Sequence, residues 1–348
     1  MRRRLPGGLN TTRQLAAVIA GFVIVILFME SGGLATWAER LEIGPMRTAA
    51  VRMTSAWRYV ARPLGIEHLR EAAIANLQKV GWSDDPGIGA DTVTGPVVPH
   101  AALEKLGSKT NPKPPLVANV PRDSTLVPLP PLPVGRPRVI VLAGDSMMTV
   151  GISAVLLRET ANRKDLQLVK AFHSGTGLAR PEVFNWMTQY PAMLQSAHPD
   201  IVFVAIGGND GQGFVENGQV LKFGTDKWIE VYRQRLSDFL DMLLAEGARV
   251  VWIGLPPMKH EGFNQKIEEI NRIAYTEVRA RPQVSWFNST PYIGDAAGNF
   301  REFFTSPEGK IVRIRAADGI HLSDKGAALL TSELMRWIDA QPTRGSLQ

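Results

Sequence analysis

Four short stretches combine residue types that could do covalent chemistry. Gly144-Asp145-Ser146-Met147 places a serine hydroxyl directly after an apolar, β-branched run and before a stretch with helical spacing. A serine there has an exposed Oγ and a backbone N–H at the start of a helix, where the dipole favours developing negative charge. On its own the triplet reads equally well as a helix N-cap. Asp318-Gly319-Ile320-His321 sits before the last helical stretch. An aspartate three residues before a histidine can bond one imidazole nitrogen and leave the other free to take a hydroxyl proton. Alone, that tetrapeptide is an ordinary polar loop. Gly207-Gly208-Asn209-Asp210 and Ser174-Gly175-Thr176-Gly177 are glycine turns. Their amide and backbone N–H groups can stabilise an oxyanion, although asparagine and glycine are also common turn residues. No Lys-Ser/Thr follows the second turn, which speaks against a phosphate loop.

All four stretches border elements that would have to position them. RVIVLAG (138–144), QLVKAF (167–172), DIVFVAIG (200–207), ARVVWIG (248–254) and QVSWFN (283–288) read as strands, mostly too apolar for a half-exposed sheet. Between them, 181–196, 227–246 and 262–280 have helical length and periodicity, and a last helix is expected over 324–340. Alternation of this kind implies a parallel sheet between helices, with ligands outside the carboxyl ends of its strands. The blocks fall at those ends. The stretch 289–317 reads as an inserted hairpin, with EFF and KIVRIRA flanking a Ser-Pro-Glu-Gly turn, and 211–227 reads as a substrate-side loop.

Read together and in this order, the blocks GDSM, SGTG, GGND and DGIH resemble those of the GDSL or SGNH hydrolases, over about residues 138–340. The resemblance implies a three-layer α/β/α, flavodoxin-like fold with a five-stranded parallel sheet in the order 2-1-3-4-5. It implies Ser146 as nucleophile, His321 as base and Asp318 as its orienter. The Ser146 N–H, Gly175 and Asn209 would form the oxyanion hole, with Gly177 the rival of Gly175. Met147 stands where the family commonly has leucine. Asp145, Gly177, Arg180, Asp210 and Gln212 are further candidates for contact with substrate. His173, near the end of the second strand, is a candidate for lining the site, whereas His198 reads as structural.

The rest of the chain concerns placement. Residues 15–29, LAAVIAGFVIVILFM, carry no charge, and counting on to Ala35 reaches the length of a membrane-spanning helix, with Trp37 at the interface. Arg2, Arg3, Arg4 and Arg13 would keep the short end cytoplasmic, which places the remainder outside the inner membrane, facing the periplasm. A cleaved signal peptide and a buried helix of a soluble protein are the rival readings. The expected divisions are a basic tail and anchor (1–37), a juxtamembrane helical segment (38–83), a proline-rich spacer (84–137) and the hydrolase domain (138–348).

With no cysteine among 348 residues, thiolate metal sites, disulfides and cysteine nucleophiles are excluded. A net charge of +6 owes much to the N-terminal arginines and offers no nucleic-acid-binding stripe. The scattered histidines give no metal-ligand spacing, and no cofactor is expected. An anchored SGNH body resembles membrane-attached bacterial enzymes that add or remove O-acetyl groups on exported glycans. The expected partners are therefore an acylated glycan or other ester, the inner membrane and a membrane-bound acyltransferase. A lysophospholipase-like esterase and a non-catalytic glycan-binding scaffold are the alternatives.

Overall fold

The computed structural model describes residues 38, 45–61, 120–131 and 133–340. The chain divides into two compact units, Met1–Glu104 and Lys105–Gln348. In the first unit, Pro45–Ala61 forms helix α1, on which Met46, Met53 and Tyr59 are exposed. The anchor expected over residues 15–35 lies outside the described residues, as does most of the proline-rich stretch. Among the described residues no helix is long and apolar enough to cross a membrane.

The second unit is built on β1 (Arg138–Gly144), β2 (Leu166–Phe172), β3 (Ile201–Ala205), β6 (Arg249–Ile253) and β7 (Val284–Phe287). They pair in the order β2-β1-β3-β6-β7, all parallel. Every residue of β1 and β3 is buried, as the apolar runs 139–144 and 201–205 require of central strands covered on both faces, and buried Arg138 at the start of β1 donates to the Pro130 carbonyl. Edge strand β2 alternates more and exposes Gln167 and Lys170, which discourages further pairing.

Helix α2 (Ser153–Thr160) follows β1, and α3 (Trp186–Leu194), α4 (Asp226–Leu244) and α5 (Glu261–Val278) connect the later strands. Right-handed crossovers from β1 leave the sheet in opposite directions. Accordingly α3, α4 and α5 neighbour one another in a row, while α2 packs with the last helix, α6 (Asp324–Asp339). Apolar residues of these helices and of the sheet form one continuous core. Helix α3 is shorter than the 181–196 expected. Asn185, extended and accepting from the Met187 amide, caps it at Trp186, and Gln195 closes it in a left-handed conformation.

Two antiparallel hairpins lie beyond strand ends: β4 (Phe214–Glu216) with β5 (Gln219–Leu221), and β8 (Phe303–Thr305) with β9 (Ile311–Arg313). The second is the hairpin expected before the Asp-x-x-His loop. The first pins the 211–227 loop to the domain core through buried Phe214 and Leu221, Phe214 packing on Trp228 of α4.

The spacer expected to run to residue 137 needs correcting at its end. Thr125 bridges antiparallel to Trp286 on edge strand β7, with its amide 2.8 Å from the Trp286 carbonyl. Ser285 Oγ accepts from the Val127 amide, and Asn288 Nδ2 donates to the carbonyls of Pro121 and Arg122. Proline cannot donate to a ladder, so the contact uses the intervening Thr125 and Val127 amides and suits only a sheet edge. Residues 121–127 thereby cover β7.

Candidate active site

At Gly144 the chain leaves β1 with φ +144°, and a Cβ there would lie 2.0 Å from the Ala205 carbonyl oxygen on β3. Only glycine permits so close an approach, and the turn it opens carries Asp145 and Ser146 off the sheet. The Met148 and Thr149 amides donate to the Asp145 carbonyl, so Ser146 stands in the first turn after the strand. On the opposite side, Asp318 Oδ1 accepts from the Ile320 and His321 amides at 2.8 and 3.0 Å, closing an aspartate turn. Ser323 then caps α6 by accepting from the Gly326 amide.

These two turns bring together a line of three side chains. Ser146 Oγ lies 2.8 Å from His321 Nε2, and His321 Nδ1 lies 2.6 Å from Asp318 Oδ2. Burial pushes the Asp318 carboxyl up, but the bonds from His321 and the two amides outweigh it and hold the group below the ordinary aspartate range. An ionised Asp318 fixes the proton on Nδ1, leaving Nε2 to accept from the serine. Ser146 begins the helical turn after β1, where N–H groups have no intrahelical acceptor, and Gly175 lies in the turn after β2, which makes both amides candidate oxyanion donors. Gly175 takes φ +70°. Asn209 Nδ2 donates to the Thr176 carbonyl at 2.8 Å, which ties the third-strand loop to the second-strand loop, and its other contact, with Asp145 Oδ2, is 3.4 Å long.

Several residues offered for substrate contact instead build the frame. Asp145 is fully buried: Oδ1 accepts from the Met147 amide at 2.8 Å, and Oδ2 from the Gly207 and Gly208 amides at 3.0 and 2.9 Å. Burial pushes its pKa up to about 7 against those bonds, with neighbouring Asp210 adding to the rise. Asp210 is also buried and accepts from the Leu178 and Ala179 amides and the Tyr232 hydroxyl. Its pKa is raised too, chiefly by burial. Gly177 lies against it, and a Cβ there would be 2.0 Å from Asp210 Oδ1. Gln212 donates back to the Asn209 carbonyl at 2.6 Å. Arg180 is buried and donates through Nε to Glu182 at 2.6 Å, so its charge is matched within the domain. Two buried carboxylates each gather amides from separate loops, and so their side chains do not face a substrate. His173 stacks on Phe184, and exposed His198 pairs with Glu246. Tyr232, passed over in the sequence, joins α4 to this frame; a buried tyrosine on an amphipathic helix carries no signal that separates it from other core aromatics.

A β2-β1-β3-β6-β7 parallel sheet with a Ser-His-Asp line at its carboxyl ends, beside the glycine-bearing loops after β2 and β3, is the arrangement that the resemblance to the SGNH hydrolases implies. The chain belongs to the family described as "Protein of unknown function (DUF459)", whose model matches residues 139–337. No curated protein matches the sequence. Among solved structures, the chain is similar to a variant of an acetyl xylan esterase from Geobacillus stearothermophilus, at 15% identity and a TM-score of 0.42, covering 61% of this chain and 99% of that one. It is also similar to a psychrotrophic esterase from Pseudoalteromonas sp., at 16% identity and a TM-score of 0.37, covering 58% and 97%.

Proposed function

We propose that this chain is an extracytoplasmic serine esterase or O-acyltransferase that removes or transfers acetyl or other short acyl groups on cell-envelope or exported glycans. The observation that carries the chemistry is the line from Ser146 Oγ through His321 to Asp318. Ser146 Oγ attacks the ester carbonyl carbon as its proton passes to His321 Nε2. The oxyanion that forms is met by the Ser146 and Gly175 amides and by Asn209 Nδ2. Collapse breaks the bond to the leaving alcohol, whose oxygen takes the proton from His321, and leaves an acyl-Ser146 ester. Water or a sugar hydroxyl, deprotonated by the same Nε2, then releases the acyl group as acid or as a new ester.

The placement rests on the sequence. An uncharged stretch over 15–29 behind four arginines supports an inner-membrane anchor with the hydrolase domain facing the periplasm. The proline-rich stretch supports a spacer ahead of the docked segment 121–127. Tethering suits a substrate fixed in the envelope, or acyl groups handed on by a membrane-bound acyltransferase.

The test compares the full chain in detergent micelles with its Ser146→Ala variant on p-nitrophenyl acetate, butyrate and octanoate, with and without glycan oligomers. Ser146-dependent release of acetate to water supports an esterase, and acetyl appearing on the oligomer supports a transferase. Preference for octanoate over acetate would replace the short-acyl reading with a lysophospholipase-like one. Equal release by wild type and variant would refute Ser146 as nucleophile.

A further inference from the structure

Arg315 follows β9 and is completely buried, yet among the described residues no carboxylate lies within ion-pair distance of it. Its guanidinium is surrounded by carbonyl oxygens. Nη1 donates to Pro257 at 2.6 Å, Nη2 to Ile320 at 2.8 Å and Gly319 at 3.3 Å, and Nε to His321 at 3.4 Å. The Met258 sulfur lies 3.5 Å from Nη2, and the Phe300 ring covers the guanidinium face with Cζ 4.8 Å from its centroid. We propose that Arg315 is a positioning residue for the catalytic base, tying the Asp318–His321 loop to the loop after β6 and so holding His321 Nε2 opposite Ser146.

A buried cation is expensive to desolvate and survives where dipoles replace water. Burial lowers the Arg315 pKa to about 10, which still leaves it charged at neutral pH. The three carbonyls it gathers on one side belong to consecutive residues, 319 to 321, which form the inner rim of the loop. The fourth, on Pro257, belongs to a different strand's exit. The loop's own bonds are mostly internal: the Ile320 and His321 amides donate to Asp318 Oδ1, the Gly319 amide to the Ala316 carbonyl and the Ala316 amide to the His321 carbonyl, and Arg315 bridges antiparallel to Leu322, whereas the Lys259 amide, donating to the Gly319 carbonyl, reaches in from the loop after β6. Asp318 on the outer rim is exposed and gives the loop little packing. The planar fork of arginine reaches both loops at once, which the single ammonium of lysine cannot do. Loss of the fork leaves the buried Pro257 carbonyl and the half-buried Ile320 carbonyl without these donors and cuts the side-chain tie between the two loops, so the Asp318–His321 turn, still closed on itself, can shift as a unit relative to Ser146. A shift of about 1 Å in a catalytic group costs on the order of 10²-fold in rate.

The kinetic arm of the test rests on the esterase reading, whereas a spectroscopic arm does not. Full-length wild type, Arg315→Met and Arg315→Lys are compared by circular dichroism, by kcat and KM on p-nitrophenyl acetate, and by the NMR signal of the His321 Nδ1 proton in histidine-labelled protein, assigned with His321→Ala. Arg315→Met is expected to fold, to lose on the order of 10²-fold in kcat with KM within about threefold, and to lose or broaden the Nδ1 signal. Arg315→Lys is expected to recover part of both. If wild type turns over no ester, the esterase reading fails and the Nδ1 signal alone decides. A folded Arg315→Met with an intact signal overturns the proposal, as does a rise in KM at unchanged kcat. Unfolding of both variants also overturns it, because Arg315 would then hold the domain rather than the loop.

Discussion

Replacing Asp318 by asparagine separates the orientation of the base from its mere presence. In the native turn, Asp318 Oδ1 accepts from two backbone amides at 2.8 and 3.0 Å, and Oδ2 faces His321 Nδ1 at 2.6 Å. Asparagine has one acceptor oxygen, and the two amides claim it, because an NH2 group placed there would meet two N–H donors. The new NH2 must then face His321 Nδ1, which becomes the acceptor, so the ring proton moves to Nε2. That nitrogen, 2.8 Å from Ser146 Oγ, now donates to the serine and cannot take its proton. The loop keeps its bonds and the fold is expected to survive, while kcat falls on the order of 10⁴-fold, or about 5 kcal/mol in the barrier. Steady-state hydrolysis of p-nitrophenyl acetate at pH 7–8, beside a thermal melt, measures both. An Asp318→Asn variant that melts with wild type and keeps activity within about tenfold would refute the tautomer reasoning.

Three further outcomes follow from the frame. Asn209→Ala removes one oxyanion donor and its bond to Thr176, so kcat should fall about 10²–10³-fold with KM little changed, as progress curves will show. Gly177→Ala puts a methyl group 2.0 Å from Asp210 Oδ1 and should lower the melting temperature by several degrees and depress activity; an unchanged melt would contradict the placement of Asp210. Asp145 concerns pH: a folded-state pKa near 7, above the ordinary 3.8, means the native state holds a proton that the unfolded chain has already lost. Its contribution to stability is therefore present at low pH and declines as pH rises from about 4 to 7, by a few kcal/mol. Denaturant unfolding followed by tryptophan fluorescence at pH 5 and pH 7.5 should show a steeper loss in wild type than in Asp145→Asn, and equal losses would count against a protonated Asp145.

What could be read from the sequence was local. The central strands announce themselves because a strand covered on both faces must be apolar along its length, as VIVLAG and IVFVA are, whereas the edge strands carry polar residues. The Ser146, Asn209 and Asp-x-x-His blocks stand out because catalysis needs rare residue types at strand ends, and those ends are fixed once the strands are found. The hairpin at 303–313 was visible in its turn residues. Helix α3 was misjudged at its start because apolar spacing continues through 181–185, and only the Asn185 cap cuts it.

Tertiary structure decided what depends on convergence. Asp145 and Asp210 look in sequence like polar loop residues free to touch a ligand. Their burial follows from amides at 147, 178–179 and 207–208 meeting around them, a fact no spacing encodes. Arg180 reads in sequence as a candidate for substrate contact and Arg315 carries no signal there, and only packing shows one matched by Glu182 and the other held by carbonyls. Segment 121–127 reads as spacer because proline composition is a local property, whereas its docking on β7 depends on an open sheet edge more than 150 residues away. Sequence thus determined the chemistry available and the elements that carry it. The fold decided which polar groups are turned to the substrate and which are consumed in holding the others still, because burial and hydrogen-bond satisfaction are set by neighbours distant along the chain.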